Sequence, residues 1–214
     1  MLHVLIICYI AVVVKSLLPH LQNKDKYFMS EMYTPFNFYQ DPLSGDGLRK
    51  LNRNKLINEP NSFRILLDVA HDIHLNLQNF IRDKGLRIAS AELFYYFPNS
   101  ESIIHIDGES CKYIQPGDMA KLNYISGGRD SSVNWWRPLV EHKKIMAGGR
   151  YIRFEPNEVE LVDSHRLSGY NVVQTGIAHN VSVKTDSRYC VSLVIFDERE
   201  RFLPYQTMVN HFCN

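Results

Sequence analysis

The chain has 214 residues, of which 45% are hydrophobic and 22% are charged, with a formal net charge of +1. This length suits one domain with its own core, so neither disulfides nor a structural metal is needed for stability. Because the charge is nearly neutral, we expect no dedicated nucleic-acid binding through phosphate contacts. The four cysteines lie far apart without a C-x-x-C pair, which favours free thiols in a reducing compartment such as the cytoplasm.

The N-terminus contains an apolar segment, LHVLIICYIAVVV, at residues 2–14. It is shorter than the roughly 20 residues that span a bilayer, and it lacks the basic start and the small-residue cleavage site of a signal peptide. Three interpretations stay open: a buried first strand or helix, a membrane anchor or signal, and a start codon assigned too early. We therefore treat residues 1–20 as a separate hydrophobic segment and expect membrane association only through residues 2–14.

Residues 21–84 are expected to form an irregular and helical support region. Up to residue 60 the chain is polar and aromatic with turn signals, which indicates irregular structure with short helices. The stretch SFRILLDVAHDIHLNLQNFIRDKG that follows, residues 62–85, predicts one long helix, because its apolar residues recur every three or four positions. Ser62 is expected to cap its start and Gly85 its end.

From residue 85 onward, short β-like runs follow one another, separated by turn signals such as QPGD and AGGR. The runs are LRIASAELFYYF, SIIHID, AKLNYIS, SVNWWRPL, RYIRFE, EVELVD, NVVQTGIAHNVSV and RYCVSLVIF. Such a succession predicts a mainly β core at residues 85–214, an all-β sandwich or jelly roll with the long helix packed outside.

The stretch ESIIHIDGES places His105 and Asp107 two residues apart in an alternating run. On a strand, residues i and i+2 point to the same face, so this imidazole and carboxylate would converge on one side. H-x-D by itself is weak evidence, because two polar residues on the solvent face of a strand give the same pattern. With a third ligand from another strand, the pair would form the 2-His-1-carboxylate triad of non-haem Fe(II) enzymes.

The favoured third ligand is His179, in QTGIAHNVSV, because it opens another β-like run. His142 and His165 are rivals in a charged loop and a turn-like stretch, and neither is followed by a strand that begins with arginine. After His179, Arg188 opens the run RYCVSLVI and shares one face of that strand with Ser192. A guanidinium beside a hydroxyl suits a carboxylate, because arginine offers a planar bidentate fork.

Together, HID at residues 105–107, His179 and Arg188 resemble the H-x-D…H…R signature of 2-oxoglutarate/Fe(II)-dependent oxygenases. The run YFPNSESIIHID is similar to the Y-x-P-G…H-x-D run of prolyl-hydroxylase-like members, and AKLNYISGGRDSSVNWW resembles a stretch of the short phage-type oxygenases. The resemblance covers residues 85–196. It departs from the family at Ser192, which lies four residues after Arg188, where the family often has R-x-S.

The resemblance implies a double-stranded β-helix (a cupin-like jelly roll) with N-terminal helices packed on one sheet. His105, Asp107 and His179 would hold Fe(II), while Arg188, with Ser192, would bind the far carboxylate of the co-substrate 2-oxoglutarate. Family members use O2 to convert 2-oxoglutarate to succinate and CO2 and usually hydroxylate a second substrate. The alternatives are a cupin-type metal enzyme that does not use 2-oxoglutarate and a non-catalytic jelly-roll binding or structural module.

Four more residues are candidates for contacts in the site. Asn123 is expected to reach the co-substrate, although a strand residue with a solvated amide explains it equally well. Tyr96 is a candidate for lining the substrate pocket, against the alternative of a half-buried strand tyrosine. Trp135 and Trp136 would face opposite ways on a strand, so at most one lines the pocket. The expected substrate is a small molecule or an amino-acid side chain.

Overall fold

The computed structural model describes residues 32–59, 61–107, 118–140 and 151–213 of the chain. The hydrophobic segment predicted at residues 1–20, with the membrane contact expected at residues 2–14, lies outside the described residues. Among the helices that are described, none is long and apolar enough to cross a membrane.

The described residues form two antiparallel sheets with four α-helices. The strands are β1 (Tyr33–Pro35), β2 (Phe63–Leu67), β3 (Leu86–Tyr96), β4 (Ser100–Glu101), β5 (Ile104–Asp107), β6 (Ala120–Gly127), β7 (Ser132–Pro138), β8 (Tyr151–Phe154), β9 (Val159–His165), β10 (Gly169–Gln174), β11 (His179–Val183) and β12 (Arg188–Asp197). The helices are α1 (Gly45–Asn58), α2 (Val69–Asp72), α3 (Leu75–Asp83) and α4 (Tyr205–Phe212), and a 3-10 turn covers Pro156–Glu158. Sheet 1 has the strand order β1-β10-β6-β12-β3-β2, and sheet 2 has the order β8-β5-β11-β7-β9, with β4 paired to β11.

The two sheets face each other across a cavity whose wall takes residues from both. Alternation along the strands separates this wall from the core. On β12, Cys190 and Ser192 line the cavity, whereas Val191 and Leu193 point into the hydrophobic core on the other side of sheet 1. The predicted jelly roll is confirmed, and each of the β-like runs recognised after residue 85 contains at least one strand.

The main hydrophobic core lies on the outer face of sheet 1, away from the cavity. Leu122 of β6 and Leu193 of β12 are buried there with Leu77 of α3 and Met208 of α4. Each such side chain contributes about 2 kcal/mol by leaving water. Packing of helices on this outer face leaves the inner face of sheet 1 available for the cavity.

The single long helix predicted for residues 62–85 is wrong. Residues Phe63–Leu67 form β2, an edge strand of sheet 1 that pairs with β3, and α3 begins only at Leu75. The run FRILL is compatible with a strand as well as a helix, and pairing with β3 satisfies its backbone groups, which decides between the two.

The ends of the helical segment explain why the pattern is ambiguous. Ser62 precedes a strand and therefore caps no helix, whereas Asp68 and His74 cap α2 and α3 through their side chains. Gly85 follows α3 with φ of +70°, the left-handed conformation that commonly ends a helix. The helix end was therefore predictable from the glycine, but its start was not.

Candidate metal centre

Strand register brings the two histidines of the predicted triad together. β5 and β11 are antiparallel neighbours, and His105 lies directly opposite His179, with the ring centroids 4.5 Å apart. Asp107 follows His105 by two residues and therefore lies on the same face of β5. One ligand atom from each of the three residues lies within 4.8 Å of the other two. This spacing suits three donors around one metal ion.

Both imidazoles are oriented by backbone carbonyls. The Nδ1 atom of His105 lies 3.0 Å from the carbonyl oxygen of Ile103, and that of His179 lies 2.8 Å from the carbonyl oxygen of Ile177. A carbonyl oxygen only accepts, so Nδ1–H is the donor in each ring and the lone pair lies on Nε2. Histidine ligands of metals commonly have this outer hydrogen bond, because it sets the tautomer and holds the ring in place.

A lysine that the sequence analysis missed contacts the acidic residue of the cluster. Lys121 Nζ lies 2.8 Å from Asp107 Oδ2, and the two side chains are only 12% and 15% exposed. The other carboxylate oxygen, Oδ1, lies 3.5 Å from His105 Nε2. The ammonium group therefore occupies one oxygen of Asp107 and leaves the other directed at the imidazoles. The sequence contained a signal for this lysine. Lys121 lies two residues before Asn123 on a predicted strand, so strand alternation places both side chains on the same face.

The protonation states of the cluster suit a metal ligand set. Burial opposes ionisation of Asp107, but the ammonium of Lys121 and the contact with His105 hold the pKa of its carboxyl well below the usual range. Burial lowers the pKa of His179 to about 4, and the neighbouring imidazole of His105 acts in the same direction. At neutral pH, Asp107 is thus a carboxylate and His179 a neutral imidazole, which are the forms that bind metals.

Arg188 lies in the same cavity and is buried, with 2% of its surface exposed. Its Nε and Nη1 atoms have no hydrogen-bond partner among the described residues. Burial lowers the pKa of the guanidinium, and a buried charge without a partner is costly. Arg188 pairs in register with Tyr96, which also lines the cavity and whose pKa burial raises to about 12. This end of the cavity therefore has unsatisfied donors suited to an anion.

Ser192 and Asn123 line the cavity, and the register of β12 with β6 places them between Arg188 and Lys121, which contacts Asp107 of the cluster. They lie side by side on β12 and β6, on the inner face of sheet 1. The Oδ1 atom of Asn123 is buried and finds no hydrogen-bond partner in the described ranges. Both residues are therefore positioned to contact a molecule that reaches from the cluster to Arg188.

The expected substrate contact of Trp135 or Trp136 does not fit their positions. The cavity, about 640 Å³, includes neither residue in its described wall. Trp135 is fully buried, and its Nε1 donates to the carbonyl oxygen of Gln174 at 3.2 Å, while Trp136 donates to Asn180 Oδ1 at 2.9 Å. Trp136 packs on a small hydrophobic cluster that includes Ile104, whereas Trp135 stacks on Tyr33, so the two side chains lie on different faces of β7 as strand alternation predicts.

Of the two rival third ligands, the described one, His165, stands apart from the cluster. His165 lies at the end of β9, where its Nε2 contacts Asp163 Oδ1 at 2.8 Å, and it does not belong to the three-residue group. His142 lies outside the described residues. His179 is therefore the histidine that the structure brings to His105 and Asp107.

Solved structures similar to this chain include proteins that bind 2-oxoglutarate. The viral collagen prolyl hydroxylase of Paramecium bursaria Chlorella virus-1, solved as a 2-oxoglutarate complex, is 13% identical, with a TM-score of 0.40 over 78% of this chain and 96% of that one. HygX from Streptomyces hygroscopicus, with nickel and 2-oxoglutarate bound, is 13% identical, with a TM-score of 0.43 over 82% and 88%. Oxalate oxidase in complex with glycolate is 15% identical, with a TM-score of 0.30; the alignment covers 78% of this chain but only 59% of oxalate oxidase. No protein-family model and no curated protein matches the sequence.

Proposed function

We propose that this protein is a non-haem Fe(II)/2-oxoglutarate-dependent oxygenase that hydroxylates a small molecule or an amino-acid side chain. The observation that supports it best is the combination of two features in one cavity. The cluster of His105, Asp107 and His179 offers three metal ligands, and the buried Arg188 offers donors without a partner in the described chain. A metal ligand set next to a buried guanidinium suits a co-substrate that is both a chelator and a carboxylate.

The donor set fits Fe(II). Two neutral imidazoles and one carboxylate are the ligands of the facial triad in non-haem iron enzymes, which leaves coordination positions open for co-substrate and oxygen. Lys121 occupies the second oxygen of Asp107, so this carboxylate would contribute a single oxygen to the ion. Fe(II) with bound 2-oxoglutarate supplies the oxygen activation and the oxidative decarboxylation that yields succinate and CO2.

The remaining residues of the cavity would position the co-substrate. Arg188 would pair with the far carboxylate of 2-oxoglutarate, because a guanidinium forms two parallel hydrogen bonds to a carboxylate. Ser192 and the amide of Asn123 lie between Arg188 and the ligand cluster and would contact the same molecule along its length. Such an anion would satisfy the orphan donors of Arg188 and reduce the cost of burying its charge.

The test is an anaerobic titration of the protein with Fe(II) and then 2-oxoglutarate, followed by the visible metal-to-ligand charge-transfer band. We expect a band that requires both additions and is absent in His179→Ala. In Arg188→Met the band should still form, but with about 10- to 100-fold weaker 2-oxoglutarate affinity, because a charge-assisted hydrogen-bond pair is lost.

The outcomes separate the alternatives. Iron that binds without any response to 2-oxoglutarate would indicate a cupin-type metal enzyme. A protein that binds no iron would contradict the proposal and favour a non-catalytic jelly-roll module. Unchanged 2-oxoglutarate affinity in Arg188→Met would remove Arg188 from the site.

A further inference from the structure

A β-bulge in β3 directs Arg87 into the cavity. Opposite β12, Val194 pairs with Ser90 and Ile195 pairs with Ile88, so one residue of β3, Ala89, is extra. After the bulge along β3, the even-numbered residues from Ser90 to Tyr96 line the cavity; before it, Ile88 packs on the core and Arg87 lines the cavity. Bulges beside binding sites often redirect a side chain in this way.

Arg87 lies at the end of the cavity opposite Arg188, among aromatic rings. Along β12, Arg188 is the first residue on the cavity face and Phe196 is the last. The guanidinium of Arg87 lies over the ring of Phe196, with its Cζ 5.0 Å from the centroid. Phe202 packs edge-on against Phe196 with the centroids 4.6 Å apart, and it also lines the cavity. This end of the cavity, formed by Arg87, Phe196 and Phe202, is called the outer end. It combines one guanidinium with an apolar aromatic surface.

The charges of the cavity wall do not balance. The described wall contains the cationic side chains Arg64, Arg87, Lys121 and Arg188 and the carboxylates Glu92 and Asp107. Four cations against two anions leave a charge of +2, although the whole chain carries only +1. The wall thus has an excess of positive charge, which favours anionic ligands.

Ion pairs within the cavity wall leave Arg87 and Arg188, at the two ends of the cavity, without an anionic partner in the described part of that wall. Lys121 pairs with Asp107, and Arg64 pairs with Glu92. Arg188 would face the co-substrate carboxylate under the proposed function.

The partner of Arg87 lies outside the described cavity wall. Its Nη2 atom is 3.1 Å from Glu200 Oε1, and the Glu200 side chain is 77% exposed. An exposed ion pair of this kind contributes little, so Arg87 can bind another anion at small cost.

We propose that the outer end of the cavity binds the second substrate through a carboxylate or another anionic group on that molecule, which pairs with Arg87, and through an apolar or aromatic portion that packs on Phe196 and Phe202. This assignment rests on the proposed function, because it takes the Arg188 end to be occupied by 2-oxoglutarate. Leu122 pairs with Leu193, so the preceding residue Lys121, which contacts Asp107, lies further toward the Arg87 end than Asn123 does. The outer end therefore begins beside the metal-ligand cluster. A substrate held there presents its apolar part to the reaction site.

Calorimetric titration with a matched pair of molecules tests the proposal. Protein loaded anaerobically with Fe(II) and saturating 2-oxoglutarate is titrated with 3-phenylpropionate and, separately, with the neutral 3-phenylpropionamide. We expect the carboxylate to bind at least about tenfold more tightly than the amide, a difference of about 1.4 kcal/mol. In Arg87→Gln the two affinities should become equal.

Arg129→Gln is the matched control. Arg129 also pairs with one exposed carboxylate, Asp186, at 2.7 Å, and it does not belong to the described cavity wall. This variant should keep the preference of the wild type.

Two results would overturn the proposal: equal or undetectable binding of both molecules to the wild type, or a preference that survives in Arg87→Gln. If 2-oxoglutarate itself gives no binding heat, the proposed function fails instead. Titration of 3-phenylpropionate and 3-phenylpropionamide into the Arg188→Met protein then tests the Arg87 end independently. In that variant Arg188 can no longer compete with Arg87 for the carboxylate.

Discussion

Lys121→Met should destabilise the metal-free protein by about 3 kcal/mol. The Nζ of Lys121 lies 2.8 Å from Asp107 Oδ2, and both side chains are almost completely enclosed. Removal of one partner of a buried ion pair typically costs about 3–5 kcal/mol, because the other charge stays buried without compensation. We take the lower value, since His105 also contacts the Asp107 carboxylate.

The double variant Lys121→Met/Asp107→Leu separates this effect from simple loss of packing. Because both charges are then gone, it should be within about 1 kcal/mol of the wild type, which implies a coupling energy of about 3 kcal/mol or more. Urea denaturation in the presence of a chelator measures the free energies of unfolding of the wild type, Lys121→Met, Asp107→Leu and the double variant. The m-value checks whether the denatured state has changed.

The exposed pair Arg129–Asp186, with side chains 82% and 38% exposed, is the control, and its coupling energy should stay below about 1 kcal/mol. Additive effects at Lys121 and Asp107 would refute the reasoning, because they would mean that the two side chains do not form a buried ion pair in solution.

Two further predictions concern the pH dependence of stability and the backbone beside Arg188. Because burial lowers the pKa of His179 from 6.5 to about 4, the unfolded state takes up the proton first as pH falls. The free energy of unfolding should therefore fall by about 3 kcal/mol as the pH is lowered from above 6.5 toward 4. Urea denaturation of the wild type and of His179→Leu across this pH range measures the loss, and identical pH profiles of the two proteins would contradict the prediction. Gly128→Ala should destabilise by about 2 kcal/mol and weaken 2-oxoglutarate binding, because at φ +62° its new Cβ would lie 2.6 Å from Ser131 Oγ and 2.9 Å from Arg188 Cβ. Gly169→Ala, at φ +65° with no described atom within 4 Å of its Cβ, should show the backbone strain alone and leave 2-oxoglutarate affinity unchanged, as measured by calorimetry.

The sequence by itself determined the strands of the core and the shared face of the first two candidate ligands. The two-residue alternation of side chains along a strand is local information, independent of any partner strand. It places His105 and Asp107 on one side of β5, and it places Ser192 and Leu193 on opposite faces of β12. Short runs separated by turn signals were therefore enough to predict a jelly roll. Where the local pattern was compatible with two structures, as in the FRILL run of β2, sequence reasoning chose a helix and was wrong.

Only the tertiary structure decided which distant residues meet. The Lys121–Asp107 pair joins the two sheets, and the contact of His105 with His179 depends on the register of strands more than 70 residues apart in the chain. The bulge that turns Arg87 inward is visible only once β3 is paired with β12. These features depend on register and sheet packing, which are set by the whole chain, because each strand satisfies its backbone hydrogen bonds and buries its apolar face only against its neighbours.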